Sequence, residues 1–209
     1  MERHRTSRGA ARLRSLTETA ADMFLDKGYE AVSLDTLIAR VGGSRRNIYK
    51  RFGGKEGLFI EVVTRLCSEL ARPLEELEIS AEEVKPALTL FGNRILDIVL
   101  HPRTLALHRL MVAEGQRFPE LAQVILRSGQ ENATNILARW VEYKQSTGRL
   151  RADLPAGDMA AQFVTLIVAV PQLHGLVGLV SKPLRSRQTK QIVDRAVTLF
   201  LDGASPKKR

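Results

Sequence analysis

The chain has 209 residues, enough for one large domain or a small domain joined to a larger one, and at 44% hydrophobic it can bury a proper core. Cys67 is its one cysteine, which excludes an intramolecular disulfide framework and suits a reducing cytoplasm. Net charge is +9, and residues 1–60 hold 12 Lys/Arg against 7 Asp/Glu, so the basic excess is densest towards the N-terminal end. Arg40, Arg45, Arg46, Lys50, Arg51 and Lys55 fall within residues 40–55 with no acid among them. A solvated face usually mixes signs, so this run favours a polyanion partner.

Apolar spacing is helical almost throughout. Leu13, Leu16, Ala20 and Phe24 step by three or four and predict an amphipathic helix over about 8–27, stopped at Gly28. Residues 1–7 are polar and arginine-rich, with no apolar stretch of the kind a signal peptide needs, and read as a flexible basic tail. Ser33 can cap a second helix in which Leu34, Leu37, Ile38 and Val41 repeat at i, i+3, i+4 and i+7. Gly42-Gly43 interrupts the chain, and Ser44 can cap a third, short helix through Phe52. After Gly53-Gly54 a longer helix runs from about Lys55 towards Glu78, with a bend expected near Pro73. Further helices are predicted at about 82–100, 103–115, 119–147, 156–180 and 187–202. Their separators are His101-Pro102, Phe118-Pro119, Thr147-Gly148 and Ser181-Lys182-Pro183. Residues 203–209 read as a second flexible tail. No strand is predicted, and the fold class is all-α.

From Met159 to Ser181 there is no charged residue, which is long enough to span a bilayer. Gln162, Thr165, Pro171, Gln172 and His174 argue against a span, because lipid would strand their polar groups. A helix that is apolar all round is equally suited to burial between subunits, so no membrane partner is expected.

Two short helices joined by a glycine turn within about 20 residues form a helix-turn-helix pattern. At about 100° per residue, an inward Ile48 brings Phe52 to within about 40° of the same direction. Arg46 and Lys50 then fall about 160° away and face outward, with Asn47 and Tyr49 on the flanks. Arg45 shares the first turn with Ser44. The N-terminal residues of such a helix enter the major groove. Arginine there suits a bidentate contact with guanine, while Asn47 suits adenine or a phosphate. Lys55 opens the next helix, where the helix N-terminus adds its own partial positive charge for a phosphate.

A Walker-type loop is excluded because Lys55 is followed by Glu56 where a Ser or Thr would hold magnesium, and no strand precedes it. A dinucleotide-binding loop fails on the same missing strand. A basic surface helix without a partner is the plainer alternative. His101 and His108 lie about 10.5 Å apart along a helix, too far to share an ion, so no metal site is expected. Cys67 on an amphipathic helix reads as packed. No His-Glu-x-x-His, Gly-x-Ser-x-Gly or acid cluster beside a histidine marks an enzyme, and no cofactor is implied.

Residues 19–59, TAADMFLDKGYEAVSLDTLIARVGGSRRNIYKRFGGKEGLF, resemble the DNA-binding domain of TetR-family transcriptional regulators. Ala20, Phe24, Gly28, Tyr29, Ser33, Gly42, Ser44, Tyr49, Phe52, Lys55, Leu58 and Phe59 carry the resemblance. Gly43 stands where that family usually has valine, and Ile38 where a small alanine is common. The resemblance implies that Tyr49 and Lys55 hold backbone phosphates and that Arg45 and Arg46 read bases. Ser33, Ser44, Asn47 and Lys50 complete the expected DNA-binding set.

Residues 113–129 and 148–163 are similar to the AefR-like C-terminal domain found in part of the family. That similarity implies a helical ligand-binding and dimerisation domain whose last two long helices pair across a two-fold axis. The resulting division is a helix-turn-helix DNA-binding domain at 8–54 and a ligand-binding and dimerisation domain at 55–202. The expected protein is a cytoplasmic homodimeric regulator, a repressor released from a palindromic double-stranded DNA operator by a small lipophilic effector. His108, Met111, Trp140, Phe163, Gln172 and His174 are polar or soft side chains on otherwise apolar helices, and they are the candidate pocket residues.

Overall fold

The computed structural model describes residues 2–79, 83–179 and 186–204, with the side chains of 2–10, 186 and 204 excepted. The expected turn at Ser181-Lys182-Pro183 and residues 205–209 of the expected C-terminal tail lie outside the described residues. The described residues form ten α-helices and no strand: α1 Glu2–Lys27, α2 Leu34–Val41, α3 Arg45–Phe52, α4 Lys55–Glu75, α5 Val84–Val99, α6 Pro102–Glu114, α7 Pro119–Leu126, α8 Asn132–Ser146, α9 Ala156–Leu176 and α10 Ser186–Ala204. The all-α expectation therefore stands. Helix α1 begins at Glu2, earlier than its apolar spacing marks, because helical geometry continues through the polar residues before Leu13. Pro73 falls in the last turn of α4, which ends two residues later.

The predicted helix over 119–147 is interrupted by a π-helical stretch, Arg127–Glu131, between α7 and α8. The buried positions Leu121 and Ile125 before it, and Ala133 and Leu137 after it, keep a spacing of four. Apolar periodicity alone therefore reads through it.

The chain divides into two compact units: residues 1–69 with 106–125, and residues 70–105 with 126–209. The core of the first unit is Ala20, Met23 and Phe24 of α1, Leu37 of α2, Ile48 of α3, and Leu58, Phe59, Val62 and Val63 of α4, with Leu110, Phe118 and Leu121. Its aromatic centre links Phe24, Tyr29, Phe59 and Phe118, with Tyr29–Phe59 and Tyr29–Phe118 centroids each 4.9 Å apart. Such edge-to-face and tilted contacts add to the area each ring buries.

In the second unit α5, α8, α9 and α10 surround a core of Phe91, Leu96, Leu137, Val141, Phe163, Ile167, Val197 and Phe200. Gly92 lets α5 approach α9 and α10 closely, since a Cβ there would lie 2.9 Å from both Ile167 and Val193. Helix α9 is long and apolar enough to cross a membrane. One face of it nevertheless buries Met159, Ala160, Phe163, Val164 and Ile167 in this core. Leu166, Val170, Leu173 and Val177 form an exposed stripe at i, i+4, i+7 and i+11 on its other side.

Candidate nucleic-acid interface

The candidate interface is built by two short, separately capped helices. Ser33 takes extended backbone and its hydroxyl accepts from Thr36 N at 3.1 Å, starting α2. Ser44 does the same for α3, accepting from Asn47 N at 3.3 Å. Each cap satisfies an amide that the first helical turn leaves without a partner. Between the helices, Gly42 and Gly43 take φ of 70° and 125°, in the left-handed region. A β-branched valine at φ 125° would be strained, so the turn as it stands here requires glycine at position 43. A Cβ on Gly42 would lie 2.7 Å from the Arg12 guanidinium, so that cation lies over the turn. Ser44→Ala is expected to lower stability by about 1 kcal/mol, read by urea denaturation.

Helix α3 is amphipathic as its spacing predicts. Ile48 is buried and Phe52 half-buried, whereas Arg45, Arg46, Asn47, Tyr49, Lys50 and Arg51 are exposed. Helix α3 ends at Gly53 in left-handed geometry, whose N–H donates to Tyr49 O at 2.9 Å. The Tyr49 ring lies against Gly54, where a Cβ would be 3.3 Å from Cε1.

Arg45 differs from Arg46 and Lys50 in its partner. Its Nε donates to Asp35 Oδ1 at 2.6 Å, and its Nη2 donates to Asp35 Oδ2. This bond to the guanidinium holds the Asp35 carboxyl below the usual carboxylate range and raises Arg45. Lys55 Nζ donates to Glu30 O at 3.2 Å and sits 4.2 Å from the centroid of the Tyr29 ring. Burial shifts its ammonium below the ordinary lysine range.

The Arg117 guanidinium also lies over the Tyr29 ring, at 4.7 Å, and pairs with Glu30. Tyr29 N donates to Glu114 Oε1 at 3.3 Å. The first unit thus ties the residues around the α6–α7 turn to the corner that follows α1.

Sequence reading missed Asp35, Gly57, Glu114 and Arg117. Gly57 carried one available signal, a glycine inside a helix. Its Cα approaches α3 so closely that a Cβ would lie 1.7 Å from the Phe52 carbonyl oxygen.

Of the six candidate pocket residues, His108 and Met111 belong to the first unit, and Trp140, Phe163, Gln172 and His174 to the second. Met111 lines a small apolar cavity of the first unit, with Phe59, Val63, Leu110, Phe118 and Leu121. His108 is half-buried in the same unit. Trp140 and Phe163 belong to the core of the second unit. His174 is exposed and lines an open cleft with Leu166, Val170, Ile192, Arg195 and Leu199, and Gln172 is half-buried. No group of three or more His, Cys, Asp or Glu side chains among the described residues is arranged to hold a metal ion. Burial pushes the Cys67 thiol up to about 11, which makes it a poor nucleophile.

Residues 16–62 match the model of bacterial regulatory proteins of the tetR family, and residues 86–203 match the AefR-like transcriptional repressor C-terminal domain. Solved structures agree. A flavonoid-responsive regulator, FrrA, is 27% identical, with a TM-score of 0.80 over 95% of this chain and 100% of its own. A TetR-family regulator from Pseudomonas syringae pv. tomato is 25% identical, with a TM-score of 0.69 over 91% and 95% of the two chains. A protein from Mesorhizobium loti described as a TetR-family regulator shares the fold at 24% identity, with a TM-score of 0.82 over 95% and 98%. With its C-terminal match spanning more than half of the chain, this protein belongs to the TetR family of bacterial transcriptional regulators, in the group with an AefR-like C-terminal domain.

Proposed function

We propose that this regulator is a cytoplasmic homodimeric repressor that holds a palindromic operator through α3 and is released by a small lipophilic effector. The observation that carries the DNA-binding part is the exposure of Arg46, Asn47, Tyr49 and Lys50 on α3, a helix anchored by the buried Ile48. In this reading Arg45 and Arg46 meet base edges, and Tyr49, Lys50 and Lys55 meet phosphates. Ser33 and Ser44 present helix N-termini to the backbone, and Asn47 reads adenine or binds a phosphate. The division into a DNA-binding region at 8–54 and a ligand-binding and dimerisation region at 55–202 belongs to the same reading.

Dimerisation is supported by the exposed stripe of α9 and by Leu199 beside it on α10, apolar surface that water alone would cover poorly. Two copies would place their α3 helices about 34–36 Å apart, in successive major grooves. The flavonoid response of FrrA supports a small-molecule effector. Such a molecule releases DNA only by binding the non-operator spacing more tightly than the operator spacing.

Arg46→Ala is expected to weaken operator binding by about 1–3 kcal/mol, and Tyr49→Phe by about 0.5–1.5 kcal/mol, with fold and dimer unchanged. Fluorescence anisotropy at fixed salt reads both. Unchanged affinity in the two variants together would remove α3 as the reading helix.

A further inference from the structure

We propose that Asp35 is a specificity-determining positioning residue, which holds Arg45 so that the free edge of its guanidinium reads one guanine in each half-site. The inference rests on the DNA-binding reading above and assigns chemistry within it.

The geometry of the pair carries the assignment. Asp35 Oδ1 and Oδ2 take the Nε and Nη2 donors of Arg45, which is the side-on edge of the guanidinium. Five N–H donors lie in a fixed plane, so this leaves the end-on edge, one N–H from each Nη atom, parallel and intact. That edge matches the O6 and N7 acceptors that guanine shows in the major groove. The two side chains remain 62% and 64% exposed, so the free edge is open to a ligand. Arg45 is the first residue of α3, at the end that enters a groove, while Asp35 lies in the first turn of α2.

The carboxylate has a second effect. A lone arginine at a protein–DNA surface can turn to whichever phosphate is nearest, which adds affinity without sequence information. Pairing with Asp35 offsets the charge of Arg45 and restricts its freedom to swing. A phosphate in the same place would meet the Asp35 charge, whereas guanine presents neutral acceptors. Asp35 therefore lowers affinity for DNA in general and raises the preference for guanine. Lys50, exposed on the outward side of α3, keeps the general attraction.

The test starts from the duplex that the wild-type protein selects from a random pool, with each guanine replaced in turn by 7-deazaguanine, which lacks the N7 acceptor. Wild type should lose about tenfold in affinity at one guanine per half-site. Arg45→Ala should be indifferent to that replacement. Asp35→Ala should lose most of the same discrimination, yet bind a scrambled duplex more tightly. Its salt dependence should steepen by about one ion per half-site, because a cation has been freed for phosphate. Asp35→Asn, which keeps a hydrogen-bond acceptor without the charge, should fall between. A mere strut between α2 and α3 would lower binding to all duplexes together, and that result overturns the proposal. So does full guanine discrimination in Asp35→Ala. If the wild-type protein selects no duplex, the DNA-binding reading itself fails, and the role of Asp35 with it.

Discussion

Gly57→Ala is expected to lower stability by about 1–3 kcal/mol and to weaken operator binding tenfold or more. A Cβ at position 57 would lie 1.7 Å from the Phe52 carbonyl oxygen, and real Cβ contacts essentially never fall below 3.0 Å. The obstacle is backbone, so no side-chain rotation relieves it. Either α4 or the C-terminal turn of α3 must shift, and Phe52 ends the helix that presents Arg46, Tyr49 and Lys50. Helix propensity would by itself favour alanine over glycine by about 1 kcal/mol, so the clash must first outweigh that gain. Gly157→Ala is the matched control: Gly157 lies in the first turn of α9 with nothing within 4 Å of an added Cβ. Urea denaturation should show a loss for the first variant and none for the second. DNA titration should separate them in the same direction.

Val170→Arg is expected to abolish the proposed homodimer and to weaken operator binding on the order of 100-fold or more. Val170 is 62% exposed in one subunit, midway along the stripe of Leu166, Leu173 and Val177. If that stripe is covered by a second copy, an arginine there is buried without a partner. It would also add like charge near Arg195, which lines the same cleft. The folded subunit should be unaffected, because the side chain points away from the core containing Phe163 and Ile167. Sedimentation velocity gives the oligomeric state, and circular dichroism checks the subunit. A dimer of undiminished strength would place the two-fold contact on another surface.

Much of this fold was legible because its signals are local. Ser33 and Ser44 precede apolar residues at helical spacing, and Gly42-Gly43 and Gly53-Gly54 mark both ends of α3. Ile48 against Arg46 and Lys50 gives its two faces. The contacts around the candidate site are not local. Asp35 and Arg45 stand on different helices, and their pairing depends on the angle between α2 and α3. Tyr29 and Glu114 are 85 residues apart. Gly57 reads as an ordinary weak point of a helix until the Phe52 carbonyl is seen above it. The pocket candidates show the same limit. Phe163 and Trp140 fill core positions, while His174 lies on an open cleft. Residue type does not distinguish these environments, because burial depends on which helices pack together. The uncharged run through α9 did carry a usable signal: one side packs in the subunit core and the other forms the exposed stripe.

The most direct measurement is selection of duplexes from a random pool by the wild-type protein, followed by affinity measurements across a salt series. The expected result is a two-fold symmetric sequence whose half-site centres lie about 10–10.5 base pairs apart, or a multiple of that, bound less tightly as salt rises. Recovery of no sequence above the starting pool would contradict sequence-specific reading by α3.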